Sequence, residues 1–513
     1  MPTKRKPGSG GIDAGASRPS VKKRARAAQP GKRRTPKARR GGAAEGGGRK
    51  GPKARTDAGS RRVRQLEQLR SKQRPSLLRE EEERFQNITL DVEGKRVVLT
   101  RRHFLYGALG AGAAAIMAAG AVLADDDSGQ GRDGIAVDQD DVIQIDDLKE
   151  AERDSCLSLL AEHILPSQTL VWAGSDGIAC CLTTTDQASP LTRVFILETS
   201  TGIQSTVLEA AQGQAEGFEV FDARACANGL IWVEANAMEG RWRVLAAPLS
   251  QELTLGDARV LDEGGPESET PSIAAAGDRA WWQVRPRVPT EKDADEGSTV
   301  LKRTGFSSGN AEEVWASKGR AACPIAACEG GVAVAVRSSE RDRAFDLLMF
   351  GSKGTVASDS LELPSGMEPC AIGWGPNGFS FCFEGIYDYG GGISDLGTYT
   401  PAKPHQAGQG YDGLAWFHFG RTPQCGPCWC EDDWFMVKST VSVCAVNLEK
   451  GIYCSLGTES GCAEWGDYLC SSGNGPTVVT AMQIDRGSSD GDSAGWTLVR
   501  VWQPGSDEVP ENQ

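Results

Sequence analysis

"PSIAAAGDRAWWQV", residues 271 to 284, combines a run of small apolar residues, a tight turn and a second apolar run. The turn is Ala276-Gly277-Asp278, and Gly and Asp favour the tight turns that join neighbouring antiparallel strands. Trp281 and Trp282 are adjacent, so on a strand they point to opposite faces. We therefore expect two strands joined by a turn, with one tryptophan in the core and the other more exposed.

The same pattern recurs along the chain. Comparable stretches begin at Pro166, Phe221, Pro271, Pro324, Pro369, Cys425 and Gly461, and their second strands begin near Ile178, Ile231, Trp281, Val332, Phe379, Trp434 and Tyr468. A further strand pair follows most of them, and four strands per unit of about 40 to 50 residues is typical of a β-propeller blade. We predict an all-β fold, a β-propeller of about seven blades over residues 164–505, followed by a tail over 506–513. A β-sandwich array is the alternative, and it would not require units of such regular spacing along the chain.

The turns resemble the Pro-x-x-Ser-Pro-Asp-Gly-x-x-Ile-Ala-Phe element of Tol-type and WD-repeat propellers. The closest matches are Ala276-Gly277-Asp278, Gly375-Pro376-Asn377-Gly378 and Gly174-Ser175-Asp176-Gly177. No Gly-His…Trp-Asp pair recurs, so the units are not WD repeats. The resemblance implies that each turn joins the innermost strand of a blade to its neighbour.

The sign of the charge changes once along the chain. Residues 1–102 contain 30 Lys and Arg against 10 Asp and Glu, whereas the whole chain has a net charge of -13. The change falls at an uncharged run from His103 to Ala124, and about 20 residues at about 1.5 Å each span a hydrocarbon core of about 30 Å. The sequence predicts a single membrane-spanning helix over residues 101–124. The alternative is a buried Ala- and Gly-rich helix in a soluble protein.

The start of this run resembles a twin-arginine (Tat) export signal. The matching residues, in order, are Thr100, Arg101, Arg102, Phe104 and Leu105. The resemblance implies a twin-arginine translocase as partner. Such signals normally begin near the N-terminus, so we expect an uncleaved single-pass anchor in the cell membrane, with a cytoplasmic N-terminus and the C-terminal domain outside. Cleavage between Ala124 and Asp125 is the alternative, and it would give a secreted protein.

Residues 1–60 are rich in Gly, Ala, Pro, Lys, Arg and Ser. Such a composition buries too little apolar surface to fold, so we predict a disordered basic tail. Its charge suits anionic lipid at the inner membrane surface, although the tail could also be merely solvated. No aromatic residue is interleaved to stack on bases, so nucleic acid is not expected as a partner.

The segments on either side of the predicted anchor have less pronounced patterns. Residues 61–100 are expected to form a short cytoplasmic helix and then a hairpin, because Ile88, Leu90 and Val92 alternate before a Glu93-Gly94 turn. Residues 125–163 are expected to be an acidic linker. Their aspartates lack the ligand order of a calcium loop, so we predict no metal site there.

Cys425-Gly-Pro-Cys428 matches the four-residue motif of thioredoxin-like disulfide exchange proteins. In that fold an amphipathic helix follows the motif, but here an acidic turn and the strand "WFMV" follow Cys430. We therefore predict that Cys425 to Cys430 form the innermost strand of the sixth unit and have no redox function. All 15 cysteines follow the predicted anchor, and Cys425, Cys428 and Cys430 are candidate disulfide cysteines. The alternative is that they are small buried apolar residues.

No catalytic residue, cofactor or metal site is predicted. The chain has only four histidines, and neither His405 nor His418 has a Gly-x-Ser-x-Gly elbow nearby, which argues against a Ser-His-Asp hydrolase. We expect a binding or scaffold module at the cell envelope, whose partner is an unidentified envelope protein or a glycan. The alternative is an envelope enzyme that acts on glycan through carboxylates in the central funnel. A broad acidic rim would favour binding, and a concave cluster of acids and aromatic residues would favour the enzyme.

Overall fold

The described part of the chain comprises ten segments of a computed structural model. They are residues 88–92, 95–99, 134–135, 137, 142–187, 189–288, 296–341, 343–384, 396–485 and 495–505. The basic tail, the predicted helix, the export motif, the cleavage site and the C-terminal tail lie outside these residues. Within the described ranges, no helix has the length and apolar character needed to cross a membrane.

The predicted hairpin is confirmed. Strand β1 (Ile88–Val92) pairs antiparallel with β2 (Lys95–Leu99), and Ile88 lies opposite Leu99. The alternation of apolar and polar residues in β1 is typical of a strand in such a hairpin.

Three strands come next along the chain, in the segment expected to be a linker. They are β3 (Val142–Gln144), β4 (Lys149–Glu150) and β5 (Leu157–Pro166), and short 3-10 turns at Ile145–Asp147 and Arg153–Ser155 separate them.

Within the described residues, seven further sheets follow one another along the chain. Sheet A contains β6 (Leu170–Ala173), β7 (Ile178–Thr184), β8 (Thr192–Glu198) and β9 (Gln204–Leu208), and a 3-10 turn at Gln214–Glu216 leads to the next sheet. Sheet B contains β10 (Glu219–Cys226), β11 (Gly229–Asn236), β12 (Arg241–Pro248) and β13 (Arg259–Gly264). Sheet C contains β14 (Ser272–Ala276), β15 (Arg279–Val284), β16 (Ser298–Gly305) and β17 (Glu312–Lys318). Sheet D contains β18 (Ala326–Cys328), β19 (Gly331–Arg337), β20 (Phe345–Gly351) and β21 (Asp359–Glu362).

The last three sheets also take up the early strands. Sheet E contains β22 (Ala371–Gly375), β23 (Gly378–Phe383), β24 (Gly397–Pro401) and β25 (Trp416–Phe419), with β3 outermost. Sheet F contains β26 (Cys428–Cys430), β27 (Trp434–Lys438), β28 (Val443–Asn447) and β29 (Ile452–Ser455), with β4 outermost. Sheet G contains β30 (Cys462–Leu469), β32 (Val478–Ile484) and β33 (Trp496–Pro504), with β5 outermost, while the short β31 (Asn474–Gly475) lies inside β26 of sheet F.

Apolar clusters between neighbouring sheets close the ring. Each cluster joins two successive sheets, and one of them joins sheet G back to sheet A. Because both faces of a sheet pack against neighbours, a strand in the middle of a sheet is apolar on both sides. Trp281 packs in the cluster between sheets C and D and Trp282 in the cluster between B and C. Both are fully buried, so the expectation of one more exposed tryptophan is wrong.

The β-propeller prediction is confirmed by this topology. The last strand, β33, pairs with β5, and Trp496 lies opposite Pro166. Sheet G also meets sheet A directly, since the backbone N–H of Ala173 donates to the carbonyl of Cys470 over 2.9 Å. The first and last long strands of the domain therefore pair in one sheet and close the ring. Propellers use this arrangement to avoid free sheet edges.

The segment 134–166 forms a belt along the outer edges of four sheets. The backbone N–H of Ile135 donates to the carbonyl of Glu362 in sheet D, and β3, β4 and β5 then pair with sheets E, F and G. The expected linker over 125–163 is therefore wrong where the structure describes it, and the domain begins before residue 164. Main-chain hydrogen bonds to distant strands hold the belt in place.

The seventh unit also differs from its prediction. Tyr468 was expected in a second strand, but it lies in β30, the first strand of sheet G. The register between β30 and β32 shifts between Cys462 and Asp467, so the residues just before the expected second strand lie in a bulge within β30. The second strand is β32.

Candidate functional site at the central channel

The turns between first and second strands meet at one end of the ring. First strands lie innermost, so their ends converge on the axis. Four turns and one connection of sheet G surround a cavity of about 210 Å³. The turn residues are 174–176, 226–228, 275–277 and 327–330, and residues 472–474 complete the wall.

Side chains and backbone groups tie neighbouring turns together across the mouth of this cavity. The amide of Asn228 donates to the carbonyl of Gly277 over 2.8 Å, and the thiol of Cys226 donates to the same oxygen over 3.3 Å. Asp176 accepts a hydrogen bond from the backbone N–H of Ala227. The wall is therefore a linked set of turns from sheets A, B and C.

Two carboxylates provide the charge of the lining. They belong to Asp176 and Glu329, and both residues are exposed. None of the described residues around the cavity is Lys or Arg. The cavity therefore has a negative potential without an internal counter-ion.

Asp176 ionises less readily than an ordinary aspartate. The surrounding turns exclude water from part of its carboxyl, and this desolvation raises its pKa above the usual 3.8. Hydrogen bonds from the backbone of Ala227 and of Asp176 itself act in the opposite direction and lower the pKa. Desolvation is the larger of these effects.

Two glycines in the turns are required by backbone conformation. Gly177 and Gly330 have φ of +78° and +67°, in the left-handed region that other residues rarely adopt. A Cβ at either position would meet no atom within 4 Å, so the space beside these turns is open. The turns stay tight and leave the mouth accessible.

Further carboxylates surround the mouth. We define the acidic rim as the six acidic residues on the first turns of sheets A, C, D and F: Asp176, Asp278, Glu329, Glu431, Asp432 and Asp433. All six are exposed. Asp432 accepts a hydrogen bond from the amide of Asn474 over 2.5 Å, which connects it to the cavity wall. Arg279 lies beside Asp278, with Nε 3.4 Å from Oδ1.

The cysteine motif lies in a buried strand of sheet F. Cys428 and Cys430 are in β26, and they pack with Cys425 in the cluster between sheets F and G. Glu431 and Asp432 form the next turn with φ of 45° and 63°, so a hairpin replaces the helix of a redox motif. The predicted strand is confirmed for Cys428 to Cys430, but Cys425 precedes it, and β31 rather than β26 is innermost in this sheet.

Burial makes these thiols unreactive. It raises the pKa of Cys430 to about 12 and that of Cys428 well above its ordinary value. No disulfide joins Cys428 to Cys430. Twelve of the 15 cysteines are buried, which favours the alternative that most are small apolar residues of the core.

Metal ligation finds no support in the described ranges. No group of three or more His, Cys, Asp or Glu side chains among these residues could hold a metal ion. The export motif and the cleavage site lie outside the described part of the chain. Sequence reasoning missed the acidic rim because each acid looks like an ordinary turn former.

No family model matches the chain, and no curated relative matches it. Among solved structures, it is similar to a prolyl endopeptidase, with 11% identity and a TM-score of 0.40 over 81% of this chain and 59% of that one. An oligogalacturonate lyase in complex with manganese has 11% identity and a TM-score of 0.38 over 68% of this chain and 98% of that one. The β-propeller domain of the Trilobed protease from Pyrococcus furiosus has 10% identity and a TM-score of 0.40 over 66% of this chain and 98% of that one. At these values the similarities carry no argument about activity.

Proposed function

We propose that this protein is a binding module whose acidic rim and channel mouth take up a positively charged segment of a protein partner. The observation that carries the proposal is the convergence of six exposed carboxylates around one end of the ring. Concentrated charge of one sign attracts opposite charge and speeds association. A basic ligand fits this surface best.

The size of the cavity defines how such a partner would bind. A space of about 210 Å³ admits one ammonium or guanidinium side chain but no folded domain. The partner would insert one Lys or Arg between Asp176 and Glu329, while neighbouring basic residues contact the outer carboxylates. The acids of this surface are spread over four sheets, which suits an extended segment.

We also propose that the binding module faces outward at the cell envelope. The twin-arginine pattern at Thr100 to Leu105 and the change of charge sign at the apolar run support export and anchoring. In this arrangement the basic tail stays inside and the acidic ring lies outside.

One observation favours an enzyme as the second candidate. The raised pKa of Asp176 is a property of general acids, and Glu329 lines the same cavity. A glycan enzyme of this kind also uses aromatic surfaces against sugar rings, and none of the residues around the cavity is aromatic. Binding is therefore the better supported function.

The test compares two double variants of the full chain. D176N/E329Q removes both cavity charges, whereas D186N/E340Q makes the same exchanges at exposed positions on the opposite ends of sheets A and D. Binding of a fluorescent tetralysine peptide is measured by anisotropy. We expect about tenfold weaker binding for D176N/E329Q, since each exposed pair contributes up to about 1 kcal/mol.

Equal affinity of the wild-type protein and both variants would refute the rim as the binding surface. If the wild-type protein instead releases reducing ends from a polysaccharide and D176N/E329Q does not, the enzyme replaces the binding module. The basic tail is present in every variant, so its effect on peptide binding is the same in all of them.

A further inference from the structure

Cys156 and Cys454 lie together where the belt passes from sheet F to sheet G. Strand β4 pairs with β29, the strand that carries Cys454, and the N–H of Ala151 donates to the carbonyl of Tyr453 over 2.8 Å. Cys156 immediately precedes β5, and its carbonyl accepts from the N–H of Gly505 over 3.0 Å. The belt therefore reaches both sheets within a few residues of this thiol.

The two side chains share one buried cluster. Cys156 and Cys454 are 1% and 0% exposed, and both belong to the cluster between sheets F and G. The thiol of Cys454 donates a hydrogen bond to the sulfur of Cys156. The two thiols therefore lie within hydrogen-bonding reach of each other.

We propose that Cys156 and Cys454 are a redox pair whose disulfide fastens the belt to sheet F. The bond would close a loop over residues 156–454, which includes sheets A to E and most of sheet F. Detachment of the start of β5 would then require reduction of the bond as well as loss of its main-chain pairing.

The chemistry needs a disulfide-containing oxidant, such as oxidised glutathione. The Cys156 thiolate attacks one sulfur of the oxidant, forms a mixed disulfide and releases one thiolate. Cys454 then loses its proton and attacks the Cys156 sulfur, which forms the protein disulfide and releases the second thiolate. Two electrons pass from the protein to the oxidant, and the two protein protons complete the two released thiols.

Cys156 is suited to the attacking role. The hydrogen bond from Cys454 stabilises its thiolate and lowers its pKa, against the opposing effect of burial. Burial raises the pKa of Cys180 and Cys226 to about 12. The residues just before Cys156, Arg153 to Ser155, are exposed, so a small local opening of this 3-10 turn admits the oxidant.

The test uses the reduced, folded full chain incubated with oxidised glutathione. Proteolysis and mass spectrometry should show a peptide pair joined through Cys156 and Cys454, with a mass lower by about 2 Da than the two reduced peptides. The melting temperature of the oxidised protein should rise on the order of 5 °C above that of the reduced protein, because the closed loop is long.

Variants separate the pair from general thiol oxidation. C454A lacks the activating hydrogen bond, so Cys156 should react more slowly but then retain glutathione as a stable mixed disulfide, whereas C156A should remain unmodified at Cys454. C180A, at a buried cysteine of sheet A, should form the 156–454 bond as the wild-type protein does. A wild-type protein that stays reduced at both positions, or that joins either one to another cysteine, would overturn the proposal. The oxidation test does not depend on the acidic rim, so it can fail or succeed independently of peptide binding.

Discussion

A buried carboxylate in sheet B fixes the connection from sheet A, and its replacement gives the most quantitative prediction. Glu234 is 0% exposed. It accepts hydrogen bonds from the backbone N–H groups of Gln212 and Gly213, over 2.6 and 3.0 Å. It also accepts from the indole of Trp232 over 3.1 Å and from Nε of Arg243 over 3.0 Å.

E234Q replaces one of the two accepting oxygens by an amide that can only donate. Two of the four donors then face another donor, and the mostly buried Arg243 loses its counter-ion. Each hydrogen bond to a charged group contributes about 1.5 to 3 kcal/mol, and breaking a buried ion pair costs about 3 to 5 kcal/mol. These overlapping effects predict a loss of about 3 to 5 kcal/mol in the free energy of unfolding.

The control is E239Q, in the turn between β11 and β12 of the same sheet. Glu239 pairs with Arg241 at 2.6 Å, but the two side chains are 56% and 46% exposed, so the expected loss is below about 1 kcal/mol. Both variants are compared with the wild-type protein by urea denaturation monitored by tryptophan fluorescence. A loss for E234Q no larger than that for E239Q would refute the structural role of this carboxylate.

Four further predictions concern closure, export, pH and the cysteine motif. Truncation after Ser489 removes β33, which leaves β32 and β5 without their shared partner, so the ring should unfold as a whole; retention of a native-like thermal transition by circular dichroism would contradict this. R101K/R102K should retain the protein inside the cell, and unchanged export of this double variant in fractionation would exclude the twin-arginine route. Tetralysine binding should weaken as the pH falls through the pKa of Asp176, because protonation removes a negative charge. The loss of affinity should begin at a higher pH than for an ordinary aspartate with a pKa of 3.8. The variant D176N should not show this part of the pH dependence. Both the wild-type protein and C425S/C428S should leave insulin reduction at the uncatalysed rate. If the wild-type protein catalyses the reduction and C425S/C428S does not, the thioredoxin-like interpretation is correct.

The turns made the ring predictable from sequence. Stretches such as Ala276-Gly277-Asp278 contain Gly and Asp, which favour tight turns, and a short apolar run follows each of them. Gly277 has φ of +59°, as such a turn demands. Because the pattern repeats, each occurrence strengthens the same architectural prediction, and sheets A to F follow it.

The belt was not predictable by the same reasoning. β3 and β4 have three and two residues, and β4 is exposed, so neither has an apolar period to detect. Their position depends on main-chain hydrogen bonds to β25 and β29, about 300 residues further along the chain. Local sequence contains no signal for such pairing.

The acidic rim depends on the closed ring in the same way. Asp176 and Glu329 are far apart in the sequence, and each is an ordinary polar turn residue in isolation. Only the convergence of innermost strands brings sheets A and D to the same cavity. The sequence predicted the turns, but it could not show that the two charges face one space.

The belt also determines how the ring responds to tension on the chain before residue 134. The force would first reach the hydrogen bond from Ile135 to Glu362 of sheet D, then β3, with three paired residues, and β4, with two, and finally β5, with nine. The short strands can detach one after the other and lengthen the free chain before the ring, while β5 remains paired in sheet G. Small extensions of the chain therefore break only the short strand pairings at the outer edge of the ring. The ring itself opens only when β5 separates from β33.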